Sequence, residues 1–432
     1  MRRMQQSWRA GLVLVLLITA LVGGTRAVAQ GTPVAAGSGH LIVSDGAART
    51  IYLYDLATRE LTGQIDGATL NDHAGFLMLP DGRLLFADAA TEELVAVQVD
   101  APDGPEVVGR VPLPGVVSHI AVDPTASYAV VGSDAPRAAL TLVDLSSYTS
   151  RPVAVEAGEA GVMIGGDPVT LYHRNDALLQ VEAYPVDAVQ RGSTTPTAVV
   201  PTGAFGHGEA IDHGRGRLYL ATDDGLDVIA LGPDGELSFE ATIPWDASGR
   251  TGGRGYFLRL APDNRHLISY MADRGTEETP WGEWRNDAYL ADLETNEATR
   301  VELGAGLVYR FALSDPYALF FSMHPDGDAA HLLDVDPASP TFGTVVAVIP
   351  LDPLANGPTA GESPWESESR IAAITPDGAT GFVSRGGEGQ ITVIDTAERT
   401  VSGTIEVPTP LTGGGYMTVV TPDMPFADTI GR

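Results

Sequence analysis

The chain has 432 residues, 56 acidic against 26 basic, a formal net charge of −30 and no cysteine. Every basic residue is arginine. Such a surface repels nucleic acid and anionic membranes and favours cations, and the lack of cysteine excludes disulfides, thiolate metal sites and a lipidated cysteine.

Arg2, Arg3 and Arg9 precede an apolar run from Gly11 to Val22, and Ala27-Val28-Ala29 offers small residues at the cleavage spacing. This pattern predicts a secretory signal peptide over residues 1–29, cut near Ala29, and an exported protein, periplasmic or extracellular. The apolar run is short for a membrane span, and nothing later is long and apolar enough to be one. Residues 30–38 read as a flexible lead-in, 39–424 as one β domain, and 425–432 as a tail.

From Leu41 onward two signals alternate at a period of about 45 residues. One is an apolar stretch closed by an acid and a turn, as at Tyr52-Leu-Tyr-Asp55, Leu142-Val-Asp144, Leu290-Ala-Asp292 and Val393-Ile-Asp395. The other is an apolar strand ending in Pro-Asp-Gly or a near relative, as at Pro80-Asp81-Gly82, Pro262-Asp263-Asn264 and Pro376-Asp377-Gly378. Together they predict an all-β fold, a β-propeller of eight four-stranded blades, with seven as the alternative because the third and fourth repeats are weakly patterned. The innermost strands are expected to begin near His73, His119, Gly161, His207, Tyr256, Tyr309, Arg370 and Tyr416. The last of these lacks partners downstream, so it should complete a blade with the N-terminal strands from Leu41, Ile51 and Leu61, closing the ring and removing two raw sheet edges.

Two stretches exceed the period: Asp273 to Asn286, between the second and third strands of the fifth blade, and Asp352 to Ser369, before the seventh. In an up-and-down sheet both connections emerge on the face where the inner strands begin. Long loops gathered on one face of a rigid ring are a common place for binding. Arg254, Arg370, Tyr256, Tyr309 and Tyr416 point to the channel mouth by register, either to bind an anion or small organic ligand or to fill the funnel.

Three of the nine histidines, His73, His119 and His207, fall at starts of inner strands, where a ring brings distant residues together. Asp72 and Glu209 flank them. Three imidazoles with a carboxylate or water suit the tetrahedral N/O preference of zinc. A histidine taken alone at a strand start is more often a hydrogen-bonding group that ties neighbouring blades; it is the three together that point to a metal. His213, His266, His324 and His331 read as surface residues in turns, and His40 and His173 are left open. No nucleophile elbow, and no phosphate loop followed by a helix, is present.

The alternation of Pro-Asp-Gly corners with Val393-Ile-Asp-Thr-Ala resembles the YVTN-type propellers of bacterial surface and periplasmic proteins. More narrowly, Phe205-Gly-His207-Gly-Glu209-Ala210, followed by a strand and Ala221-Thr-Asp-Asp-Gly225, resembles the AztD family of periplasmic zinc metallochaperones. Trp365 before an Arg-led strand is similar too. The resemblance implies zinc as cargo, His207 and Glu209 on the family motif, and as partner the solute-binding protein of a metal ABC transporter. The chain departs from the family in lacking a His/Asp-rich loop for a second zinc site. The expected function is therefore a propeller that binds a divalent metal at its channel mouth and does not catalyse. A scaffold that binds protein or another ligand without metal, and a lactonase-like hydrolase with a channel metal, are the alternatives.

Overall fold

Each closing acid of the repeat binds the backbone it has just turned. The Asp55 carboxylate accepts the N–H groups of Ala57 and Thr58 at 3.0 and 2.7 Å, and Asp144 accepts those of Ser146 and Ser147, both at 2.9 Å. The fourth residue after the acid is left-handed, with φ between 54° and 61° at Arg59, Tyr148, Asn296 and Arg399. That residue lets a short loop match the twist of the two strands it joins. At the opposite corners Gly82 and Gly378 take φ of 81° and 71°, which is why the Pro-Asp-Gly signal ends in glycine. Turns of this kind fix strand pairing locally, before any long-range contact.

The computed structural model describes residues 39–431, apart from 71–73, 135–136, 157, 159, 205 and 422–429. The expected signal peptide and lead-in, together with Asp72 and His73, lie outside the described residues. The rest forms eight antiparallel sheets in a propeller ring. The inner strands of blades 1 to 7 are Phe76–Met78, Val117–Val122, Ala160–Gly165, Glu209–Asp212, Arg254–Leu260, Leu307–Leu313 and Ala372–Ile374. In blade 8 the inner strand Tyr416–Val420 pairs with His40–Asp45, from Tyr416 opposite Ser44 to Val420 opposite His40, and Thr50–Asp55 and Leu61–Asp66 complete the sheet. The ring thus closes through both ends of the chain.

The core lies between blades. Ile51, Phe86 and Tyr416 share one cluster joining blades 8 and 1, and Leu41, Phe382 and Met417 share the next, joining blades 7 and 8. Further clusters join the remaining neighbours around the circuit. Blade 3 is weakly patterned in sequence because a five-residue helix, Val186–Gln190, follows its third strand. Ile430–Gly431, within the stretch assigned above to the tail, pairs with Ala121 and Ile120 and adds a fifth strand on the channel side of blade 2. Among the described residues no helix is long and apolar enough to cross a membrane.

Candidate functional site

His119 and Glu209 come from the inner strands of blades 2 and 4, and the intervening blade 3 presents Gly161 between them. The His119 Nε2 lies 3.9 Å from the Glu209 Oε1, with His119 only 6% exposed and Glu209 fully buried. The glycine gives the reason. A Cβ at Gly161 would lie 2.7 Å from the Glu209 Oε2 and closer still to Arg174. Arg174, on the second strand of blade 3 and paired with Gly161 across the sheet, reaches over that gap. Its Nε stands 3.3 Å from the Glu209 Oε2, and its Nη1 donates to the Asp176 Oδ1 at 2.6 Å and to the Gly206 carbonyl. A carboxylate buried this deeply needs a charge partner, and Arg174 supplies it.

Arg174 is the residue that sequence reasoning missed. Its signal was an arginine in the run Leu171-Tyr-His-Arg-Asn, otherwise suited to a buried strand, with a glycine opposite. His207 is half-buried just before the inner strand of blade 4, its ring 5.3 Å from Tyr256 in an edge-to-face contact. Among the described residues no group of three or more His, Asp or Glu side chains is arranged to hold a metal ion.

Other expectations change. His266 and His331 are not surface residues: they are 7% and 6% exposed. His331 lies within the third strand of blade 6, hydrogen-bonded to the Ser322 hydroxyl at 2.8 Å, and burial pulls its pKa down to about 4. The corner reading failed there because Pro325-Asp326-Gly327 joins the second and third strands of the blade, and His331 lies beyond it, inside the third. His173 is buried too, 3.0 Å from the Glu182 Oε2. His40 meets Asp100 at 2.8 Å. Arg370 does not open to the channel mouth; it is fully buried, bonded to the Asp328 Oδ2 at 2.7 Å and to the carbonyl of Asp352, fastening blade 7 to blade 6.

Blades 5 and 6 face the channel differently. Phe257 and Arg310 hold φ of 54° and 62°, in the left-handed region where bulky residues are rare, and the pairing of each inner strand slips there. The slip turns Tyr256 and Tyr309 toward the loop face. Tyr256 stacks on Tyr270 with ring centroids 5.5 Å apart, and its hydroxyl accepts from the Arg254 Nε at 3.0 Å. The two long insertions meet above them: Trp365 lies 6.3 Å from Trp284 and 5.6 Å from Tyr309.

These features define an eight-bladed propeller whose channel mouth is ionic on one side and aromatic on the other. No family model and no curated protein matches the chain. Among solved structures it resembles AztD from Citrobacter koseri, with a TM-score of 0.66 and 12% identity over 89% of this chain and 98% of that one. The apo form of that protein gives 0.64 over the same shares. Dihydro-heme d1 dehydrogenase NirN in complex with DHE gives 0.62 at 14% identity, over 90% of this chain and 76% of that one. The AztD resemblance read from the His-Gly-Glu segment is thus matched by likeness along nearly the whole chain, and at these identities that likeness is one of fold. Because the similar folds include a dehydrogenase, fold alone does not separate carrier from enzyme.

Proposed function

We propose that this protein is an exported, non-catalytic propeller that carries a divalent metal ion, zinc foremost, at the channel mouth where His119 and Glu209 meet, and hands it to a transporter's binding protein. The observation that carries the reading is the 3.9 Å approach of an imidazole and a carboxylate from different blades. A metal needs such convergence from separate elements, and both groups are ligand types that zinc accepts. His207, and His73 from beyond the described residues, would complete the set. Arg174 competes for Glu209, so a metal bound there exchanges readily, which suits cargo better than a permanent cofactor. The net charge of −30 raises the local cation concentration.

Zinc titration by calorimetry tests this on the wild type, His119→Ala, His207→Ala and, as a control away from the pair, His213→Ala. The first two should bind at least about tenfold more weakly, and lowering the pH through about 6.5 should weaken the wild type as protons compete for imidazole. Equal zinc binding by the wild type and a His119/His207 double variant would sink the metal reading and leave a scaffold that binds without metal.

A further inference from the structure

Arg274, in the insertion of blade 5, is held by three rings. Its guanidinium carbon lies 5.1 Å from the Trp365 ring centroid, 5.2 Å from that of Trp284 and 5.3 Å from that of Tyr256. These rings arrive from two separate loops and one inner strand. The Arg274 Nε is buried and has no hydrogen-bond partner, and among the described residues no carboxylate pairs with Arg274. That is unusual in a chain with 56 acidic residues, where Arg254 is bonded to Asp223 and Arg370 to Asp328. A guanidinium over aromatic rings keeps its N–H groups for bonding, and its two terminal nitrogens match a carboxylate in two parallel hydrogen bonds.

A second cation lies one ring further in. The Arg310 guanidinium lies 5.2 Å from the Tyr309 ring, which in turn contacts Trp365. Trp365 is 47% exposed, a large apolar surface left open beside Arg274. An organic cation would have to displace Arg274 from all three rings, whereas an anion can join the arrangement as it stands.

We propose that the loop face binds a small organic carboxylate with a flat apolar body, its carboxylate accepting hydrogen bonds from the edge of Arg274 and its body resting on Trp365. The site uses none of the residues of the metal reading and stands without it.

Tryptophan fluorescence and calorimetry on the full chain test the site, with benzoate and indole-3-acetate as probes, the matching neutral amides and tetramethylammonium as controls. Saturable binding of a carboxylate is expected, with about tenfold weaker binding of its amide, because a charge-assisted bidentate contact is lost. Arg274→Gln and Trp365→Ala should each weaken it at least as much while the melting temperature stays put, and Arg274→Lys should retain part of it. Should one variant misfold, the other and the amide comparison still decide. Absence of saturable carboxylate binding, or undiminished binding by Arg274→Gln, overturns the proposal. Preferential saturation by tetramethylammonium overturns it in favour of a cation cage.

Discussion

On blades 2 to 4 the channel-side strands carry His119, Gly161 and Glu209, whereas at the corresponding places blades 5 and 6 carry Tyr256, Phe257, Tyr309 and Arg310. On the first side a missing side chain at Gly161 lets a charge from the second strand through to the channel, and the space fills with ions. On the second side two bulky residues accept left-handed backbone, and the space fills with rings. One framework thus tolerates opposite chemistry at matching positions, because each blade is hydrogen-bonded mainly within its own sheet and packs chiefly on its neighbours. The lesson is that function in this ring is set blade by blade, provided the ring is closed.

The largest effect should come from opening the ring. Removing residues 413–431 deletes the inner strand of blade 8, including the buried Met417, Val419 and Val420. At roughly 1.5–3 kcal/mol for each large buried side chain, the loss approaches the whole stability of a typical domain, about 5–15 kcal/mol. The truncated chain should aggregate and show no cooperative melt by calorimetry. A soluble variant with an unchanged melting curve would mean the two sides do not depend on closure.

Next, single substitutions should separate the ionic side from the aromatic side. Glu209→Ala removes the deeper of the two carboxylates beside the buried Arg174, Asp176 remaining, and should cost about 1.5–3 kcal/mol. Tyr256→Phe removes one hydrogen bond and keeps the ring, so about 0.5–1.5 kcal/mol is expected. Urea denaturation of both variants reads the difference directly, and equal costs would break the comparison.

Acid should attack the two sides in sequence. The unfolded chain protonates His331 below its usual pKa of about 6.5, but the folded chain resists until about 4 because burial disfavours the charged ring. Its contribution is therefore complete above pH 6.5 and declines as pH falls toward 4, by at most about 1.4 kcal/mol per pH unit. On blade 3, burial alone would raise the Glu182 pKa, but hydrogen bonds from His173, Gln180 and Tyr184 outweigh it and hold the carboxyl at about 2. That contribution is complete above about pH 4.5 and disappears as pH falls to about 2. His331→Gln should flatten the first decline and Glu182→Gln the second, in denaturation series run across pH. An unchanged slope between pH 6.5 and 4 in His331→Gln would remove His331 as the cause.

The gap on the ionic side has its own test. Gly161→Ala puts a methyl group 2.7 Å from the Glu209 Oε2. Arg174 and Glu209 must shift, for an expected loss of about 1–3 kcal/mol. A neutral result would show that the glycine is not what admits the arginine.

The sequence by itself determined the ring. Asp55, Asp144, Asp292 and Asp395 mark hairpin corners, and Pro-Asp-Gly marks the opposite ones, because turns are set by a few adjacent residues and their own backbone. Eight such units, with an unpartnered strand near Tyr416 and unpartnered strands after Leu41, also dictated how the circle closes. The loop face was legible from two insertions that exceed the period. His119 and Glu209 were legible as channel residues, since both stand at starts of inner strands. Only the tertiary structure decided what they meet. Arg174 reaches Glu209 from a second strand, Arg370 turns inward to Asp328, His331 is buried, and Arg274 is caught between rings from two loops. The arginine contacts depend on how far a long side chain travels from its own strand or loop, and that distance is fixed by packing between segments far apart in the chain, which no local pattern encodes.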